Sequence, residues 1–297
     1  MEGTIKKTAG ATVNNKLRRR HKLNSILRYV LLTLVAFIML YPILWLIGAS
    51  FKTNSEIFSS IGFIPNSIDF DAYIKGWQMG TEYTFTTYFM NSFKIVIPKI
   101  IFTVISCTLT AYGFARFEFP GKKILFGLLI STLFLPGVVT RIPLYLLWKQ
   151  FGVLDTYVPL VANTVFAAEP FFVFMLVQFL RSVPRDFDEA ATIDGCNSIQ
   201  VLTRILLPIL KPSLISVTLF QFIWSFNDFM GPLIYISSVE KYPVAIALKM
   251  SMDNSAGVTP WNQVIAMSLM GLLPSIILFF TSSRQFVDGM SAGGIKG

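Results

Sequence analysis

Hydrophobic positions fall in long, nearly unbroken runs separated by short polar stretches. Six apolar segments approach the roughly 20 residues that cross a bilayer as a helix. They lie near Tyr29–Ser50, Phe93–Phe114, Ile124–Ile142, Tyr157–Leu180, Pro212–Ser225 (extended to Met230) and Val264–Thr281. The third is interrupted by Pro136 and Gly137, the fifth by Asn227 and Asp228. A broken helix is tolerated at membrane depth only where protein or a water-filled cavity satisfies its backbone. Each interruption therefore marks either a path through a bundle or a helix end at the interface. The expected fold is an all-α membrane protein of six transmembrane helices.

Composition agrees. Of 297 residues, 54% are hydrophobic and only 14% charged, against about 25% charged in a soluble domain. That excludes a soluble globular enzyme and a disordered chain. The first segment is too long for a signal-peptide core and reads as a retained anchor. Cys107 lies in an apolar run and Cys196 in a polar loop, so no disulfide is expected. The single histidine, His21, sits in a basic stretch as a solvated charge, and one histidine supports neither a catalytic triad nor a metal cluster. No cofactor is expected.

The net charge of +9 is mostly a topology signal. With both termini placed in the cytoplasm, 17 basic residues fall inside and 8 outside, as the positive-inside rule demands. Residues 1–28 then form a basic cytoplasmic tail, 29–281 the membrane domain and 282–297 a second cytoplasmic tail. The run Arg18–Arg19–Arg20 beside the first span suits anionic lipid headgroups rather than nucleic acid. The longest external stretches, Phe51–Met90 and Gly231–Asn262, have room for short interfacial helices.

One loop differs from the rest. Residues 184–212 read as two short helices with a glycine hinge. Pro184 starts the first, and Asp186, Asp188 and Glu189 suit its positive end. Gly195 after Asp194 takes the positive φ that ends a helix, and Asn197 or Ser198 caps the second. Ile199, Leu202, Ile205 and Leu206 make an apolar stripe on that second helix. Pro208 and Pro212 end it and restart a membrane helix. The stripe needs either a protein groove or a lipid surface to cover it.

This loop resembles the "EAA" coupling loop of ABC importer permeases: Glu-Ala-Ala, three residues, Gly, nine residues, Ile-x-Leu-Pro. Here those are Glu189, Ala190, Ala191, Gly195, Ile205, Leu207 and Pro208, with no departure in spacing. Asp194 beside Gly195, Pro143-Leu144-Tyr145, Pro170-Phe171 and Phe226-Asn227-Asp228-Phe229 are similar to the carbohydrate branch of that family, although many members carry Trp where Phe226 stands. The tail Gly293-Gly294-Ile295-Lys296-Gly297 is similar to the end of the smaller permease subunit of maltose-type importers.

The resemblance implies a type I ABC importer permease fold in a bacterial inner membrane, one half of a pathway completed by a second homologous permease. It implies a cytoplasmic ATPase dimer below the pair and an extracytoplasmic sugar-binding protein above it. The chain contains no G-x-x-x-x-G-K-[ST] phosphate loop, so it is not expected to be an enzyme. Glu189, Ala190, Ala191, Asp194, Gly195, Ile205 and Pro208 are the expected coupling residues. Ala190 and Ala191 would allow a partner surface to approach closely. Gly293, Gly294, Lys296 and Gly297 would reach the ATPase, with the glycines suiting either an extended thread or a disordered end. Sugar sites use aromatic faces and neutral hydrogen-bonding groups, so Asn163, Gln221, Trp224, Asn227 and Asp228 are pathway candidates. Glu169, an acid inside the fourth span, is either a pathway group, a partner to a basic residue of the second permease, or the cap of a half-helix. The rival reading, an ion-coupled secondary transporter, predicts paired intramembrane charges and internal repeats. The chain shows only Glu169 and Asp228 near membrane depth, and no repeat.

Overall fold

The computed structural model describes residues 2–60, 62–78, 82–253 and 259–294, with side chains described at 22 and from 24 to 283 within those ranges. Lys296 and Gly297 of the expected ATPase-contacting tail lie outside the described residues. The chain divides into two compact units, 1–72 and 73–297.

In the first unit, helix α1 runs Glu2–Ala49 and a short α2 spans Asn54–Ser59. The backbone is helical from Glu2, continuous with the first span, because no proline interrupts it before Pro42. Gly48 is required near its end: a Cβ there would lie 1.6 Å from the Phe63 carbonyl oxygen. The turn after α1 is tied by the Lys52 ammonium, which donates to Ser60 Oγ at 2.8 Å and to the Gly62 carbonyl. Glu56 accepts the Asn66 amide at 2.9 Å. A third helix, α3 (Asp71–Trp77), follows.

The second unit is built on α4 (Phe85–Arg116). At 1.5 Å per residue its 32 residues reach about 48 Å, well beyond the roughly 30 Å hydrocarbon layer. After it come α5 (Lys122–Thr132), α6 (Gly137–Gln150), α7 (Val158–Val165), α8 (Pro170–Ser182), α9 (Asp186–Ile193) and α10 (Ser198–Gln200). A π-helical turn, Val201–Leu206, leads into α11 (Leu207–Phe226). Then follow α12 (Met230–Tyr235), α13 (Val244–Met252) and α14 (Trp261–Gly294).

Five helical stretches are long and apolar enough to cross a membrane, at residues 24–49, 85–116, 158–182, 198–226 and 261–283. Helices α5 and α6 form a sixth, bent by 99° where Pro136 takes an extended ψ of 126° ahead of α6. The six expected spans are present if the bent pair is one; most bounds shift outward, while the first ends one residue earlier, the fourth starts one residue later and the fifth ends at Phe226. Pro170 opens α8 after the break in the fourth span, where a missing N–H costs nothing.

Three expectations need correction. The second helix of the 184–212 loop does not stop at Pro208 and restart at Pro212; it continues through both into α11. The proline ring at 208 clashes with an α-helical carbonyl four residues back, and the preceding turn widens to relieve it. Leu207 N–H accordingly reaches Leu202 O, five residues back, as in a π-bulge. The buried face of that helix is Val201, Leu202 and Leu206, while Ile199 is 73% exposed. The stripe is thus covered by the chain's own bundle. Lastly, the backbone is helical to Gly294, so Gly293 and Gly294 are not an extended thread; no proline follows Pro274 to stop α14.

Helix α4 packs along α8, with α7 and α11 beside it, and α11 packs against α14. Cys107, Ala111 and Ala115 of α4, four residues apart, are all buried against Phe172, Val173, Leu176, Val177 and Leu180 of α8. Small residues at this spacing let two membrane helices approach closely. We therefore expect Ala111→Leu to be destabilising by about 1–3 kcal/mol through overpacking, read as a lowered unfolding midpoint in detergent. Ile97→Leu, on an exposed face of α4, should leave the midpoint unchanged.

Candidate functional site: a bent element at the Arg116 end of the bundle

The sequence from Arg185 to Gln200 builds two helices at a fixed angle. Helix α9 carries Asp186, Asp188 and Glu189 in its first turn, favourable at the positive end of the helix dipole. It closes in a Schellman motif: Cys196 N–H donates to Ala191 O at 2.9 Å and Gly195 N–H to Thr192 O at 3.0 Å. Gly195 sits at φ 85°, a conformation open to glycine and strained for other residues. The next helix starts at once in a capping box: Asn197 Oδ1 accepts the Gln200 amide and Gln200 Oε1 accepts the Asn197 amide, both at 2.9 Å. Asn197, not Ser198, is the cap.

The last turn of α4 clasps this element. Arg116 Nε lies 2.7 Å from Asp188 Oδ2, and its terminal nitrogen donates to Val183 O at 3.1 Å. Tyr112 Oη donates to Ser198 O at 3.0 Å. Burial raises the Asp188 carboxyl above the ordinary aspartate range, outweighing the opposing pull of Arg116 and Arg185. Ala191 is buried against the bundle, so its small side chain seats α9 on its own chain rather than under a partner. Glu189, Ala190, Asp194 and Gly195 are exposed. So is Phe187, and Ile193 is 87% exposed. An open cavity of about 610 Å³ runs between Tyr112, Arg116, Asp188, Thr192, Asn197 and Val201. Ile205 is partly buried on the core and Pro208 sits in the first turn of α11.

The membrane-depth candidates sit on α7, at the start of α8, on α11 and in the turn between α11 and α12. Span 4 is broken between α7 and α8, with Ala167 at φ 53°, a strained value for a residue with a Cβ. Ser106 Oγ donates to Thr164 O at 2.7 Å beside the break, and Asn163 O accepts the Phe166 amide at 3.2 Å. Glu169 occupies the cap position of α8, yet its side chain makes no cap bond. Lys99 and Asp228 interact with it electrostatically. Asp228, just ahead of α12, accepts the Gly231 amide at 3.0 Å, and Asn227 donates to Ile223 O at 2.8 Å at the end of α11. Gln221 is buried and donates to Ser225 Oγ at 3.1 Å, and its Oε1 has no hydrogen-bond partner among the described residues. Trp224 stacks on Phe172 with centroids 5.0 Å apart.

Sequence reasoning missed a staple at the opposite, Phe85 end. Asp155, at φ 58°, accepts the Ser237 and Ser238 amides at 2.9 Å each, Ser238 Oγ at 2.6 Å and the Lys241 ammonium at 2.8 Å. These bonds hold its carboxyl well below the usual range. Asn91 Nδ2 donates to Glu240 O at 2.7 Å, and Tyr157 Oη to Lys241 O at 3.2 Å. The only signal in the sequence was Asp155 itself, an aspartate tolerant of left-handed backbone in a short loop. Among the described residues no group of three or more His, Cys, Asp or Glu is placed to hold a metal.

Known proteins share this architecture. The chain is 30% identical to the probable ABC transporter permease protein YurM of Bacillus subtilis, over 96% of this chain and 93% of that one. It is 28% identical to the diacetylchitobiose uptake system permease protein NgcG of Streptomyces coelicolor (90% and 88% covered). The galactooligosaccharides transport system permease protein GanQ of Bacillus subtilis is also 28% identical (95% and 98% covered). A chain in the crystal structure of a bacterial ABC transporter involved in the import of the acidic polysaccharide alginate superposes with a TM-score of 0.78 at 23% identity, covering 89% of this chain and 97% of that one. Residues 107–286, from the last part of α4 through the bent element into α14, match the family described as binding-protein-dependent transport system inner membrane component, and the chain belongs to that family.

Proposed function

We propose that this chain is a permease subunit of an ATP-driven importer in a bacterial inner membrane. It translocates a sugar or oligosaccharide delivered by an extracytoplasmic binding protein. ATP is hydrolysed on a separate chain, and a second permease completes the pathway. The observation that carries this reading is α9: a rigid helix fastened on one side to its own bundle, its other side exposed with Phe187, Glu189, Ala190 and Ile193. The oligosaccharide permeases among the relatives support the substrate class. A binding-protein-dependent family argues against an ion-coupled transporter.

In this reading the Arg116 end faces the cytoplasm, and the outer face of α9 fits a cleft on the ATPase. Force applied there reaches three spans. Asp188 passes it to α4 through Arg116, the chain at Val183 passes it to α8, and the Schellman turn with the capping box passes it to α11. Closure of the ATPase would move α9 as a rigid body and tilt those spans. Glu189 serves as a contact to the ATPase and Gly195 sets the angle. Glu169 and Asp228 flank the pathway, and Gln221 and Trp224 pack the bundle.

Gly195→Pro fixes φ near −65° and removes the bond to Thr192. It should abolish uptake in reconstituted vesicles while leaving the protein inserted; normal uptake would refute the coupling role. Glu189→Gln should keep stability within about 0.5 kcal/mol but weaken co-purification of the ATPase. Arg116→Gln strands a largely buried carboxylate and should cost about 3 kcal/mol. That loss has a pH sign. Asp188 then has a folded-state pKa raised further above its unfolded value, so the penalty is full at neutral pH and is relieved as pH falls through the folded value. Unfolding midpoints measured from pH 7.5 to 5 check it.

A further inference from the structure

Beside the bent element lies a second cavity that the coupling role does not use. It has a volume of about 700 Å³ and is lined by Glu118, Lys122, Lys123, Ile124, Phe126 and Arg181, among others. This lies within the roughly 300–1,000 Å³ typical of small-ligand sites. It sits where α5 starts and where α4 and α8 end, at one end of three membrane-crossing segments.

Its charge is not neutralised internally. Lys122 is engaged: its ammonium donates to Glu118 Oε1 and to Phe117 O, both at 2.8 Å. Lys123 and Arg181 have no ion-pair partner among the described residues, which leaves the cavity with a net charge of +2. Arg181 is held in place without being neutralised: its guanidinium carbon lies 5.1 Å from the centroid of Phe126, a cation–π geometry. Phe126 is itself packed on Phe114 and Phe174.

The cavity continues into an apolar track. Ile124, on its wall, is 70% exposed, and Leu128, one turn deeper on the same face of α5, is 58% exposed. Cations at the mouth with an apolar stripe running inward along a membrane helix match an amphiphile with an anionic head. We propose that this cavity binds the phosphate headgroup of an anionic membrane lipid, with Lys123 and Arg181 contacting the phosphate and one acyl chain lying along Ile124 and Leu128. The net charge of +2 matches the two phosphates of cardiolipin better than the single one of phosphatidylglycerol. Basic pockets between membrane helices are a recognised headgroup environment.

The test uses the full-length chain, with its co-expressed partner subunits, in mixed micelles carrying cardiolipin or phosphatidylcholine, and native mass spectrometry counts retained lipid. The wild type should retain cardiolipin selectively. Lys123→Gln and Arg181→Gln should each reduce retention about fivefold, and the double variant about 30-fold. Arg181→Lys, which keeps the charge, should retain most of it. Lys149→Gln, at an exposed basic residue on α6, should change nothing. Equal retention of cardiolipin and phosphatidylcholine, or full retention by the double variant, would overturn the proposal. So would competition by soluble glycerol phosphate at equal concentration, which would mark a free-anion site. Loss of lipid whenever the ATPase is bound would make this a protein-docking surface instead.

Discussion

A buried guanidinium at the end of a long membrane helix is the contact on which the working part of this molecule depends. Arg116 is the last residue of α4, and it holds Asp188 and the Val183 carbonyl together. Without it the acidic first turn of α9 would have no reason to stay against the bundle, since α9 buries little besides Ala191. The arrangement is costly, because Asp188 is desolvated. That cost makes the geometry specific: a carboxylate lifted from water accepts only a position where a cation meets it.

Everything upstream serves to present that contact. Cys107, Ala111 and Ala115 bring α4 close to α8, which places the C-terminal ends of the two helices side by side. The chain leaving α8 therefore reaches Arg116 at once. The π-turn ahead of Pro208 lets the second helix of the bent element run directly into α11. A stop and restart there would insert a flexible joint between α9 and the span it is proposed to drive. At the far end, Asp155 gathers the Ser237–Lys241 segment onto the α6–α7 loop, so the bundle is fastened at both ends.

Spans, breaks and hinge were legible in the sequence because each rests on local chemistry. Apolar runs give the spans. Pro136 marks the bend in the third, and Gly195 and Asn197 mark the turn between the two helices. What escaped depends on which face of a helix meets which neighbour. Ile199 fits the stripe by spacing yet is exposed, while Val201 is buried, because the π-turn rotates the residues relative to an ideal helix. The pathway candidates share depth and polarity, and depth does not say which way a side chain points. Gln221 bonds Ser225 inside the bundle, and Asn227 and Asp228 bond backbone groups in the turn between α11 and α12. The Cys107–Ala111–Ala115 spacing was available to inspection; the Arg116–Asp188 pair, 72 residues apart in the chain, was not.

The central claim is that the exposed face of α9, and no other face, meets the ATPase. Single cysteines at Phe187, Ala190, Ile193, Ala191 and Leu202, in a chain lacking its native cysteines, would be tested for cross-linking to the ATPase in membranes. The account predicts adducts from Phe187→Cys, Ala190→Cys and Ile193→Cys that change in yield when ATP is bound, and none from Ala191→Cys or Leu202→Cys. Adducts of equal yield from all five positions, or none from Ile193→Cys in a transport-competent assembly, would contradict it.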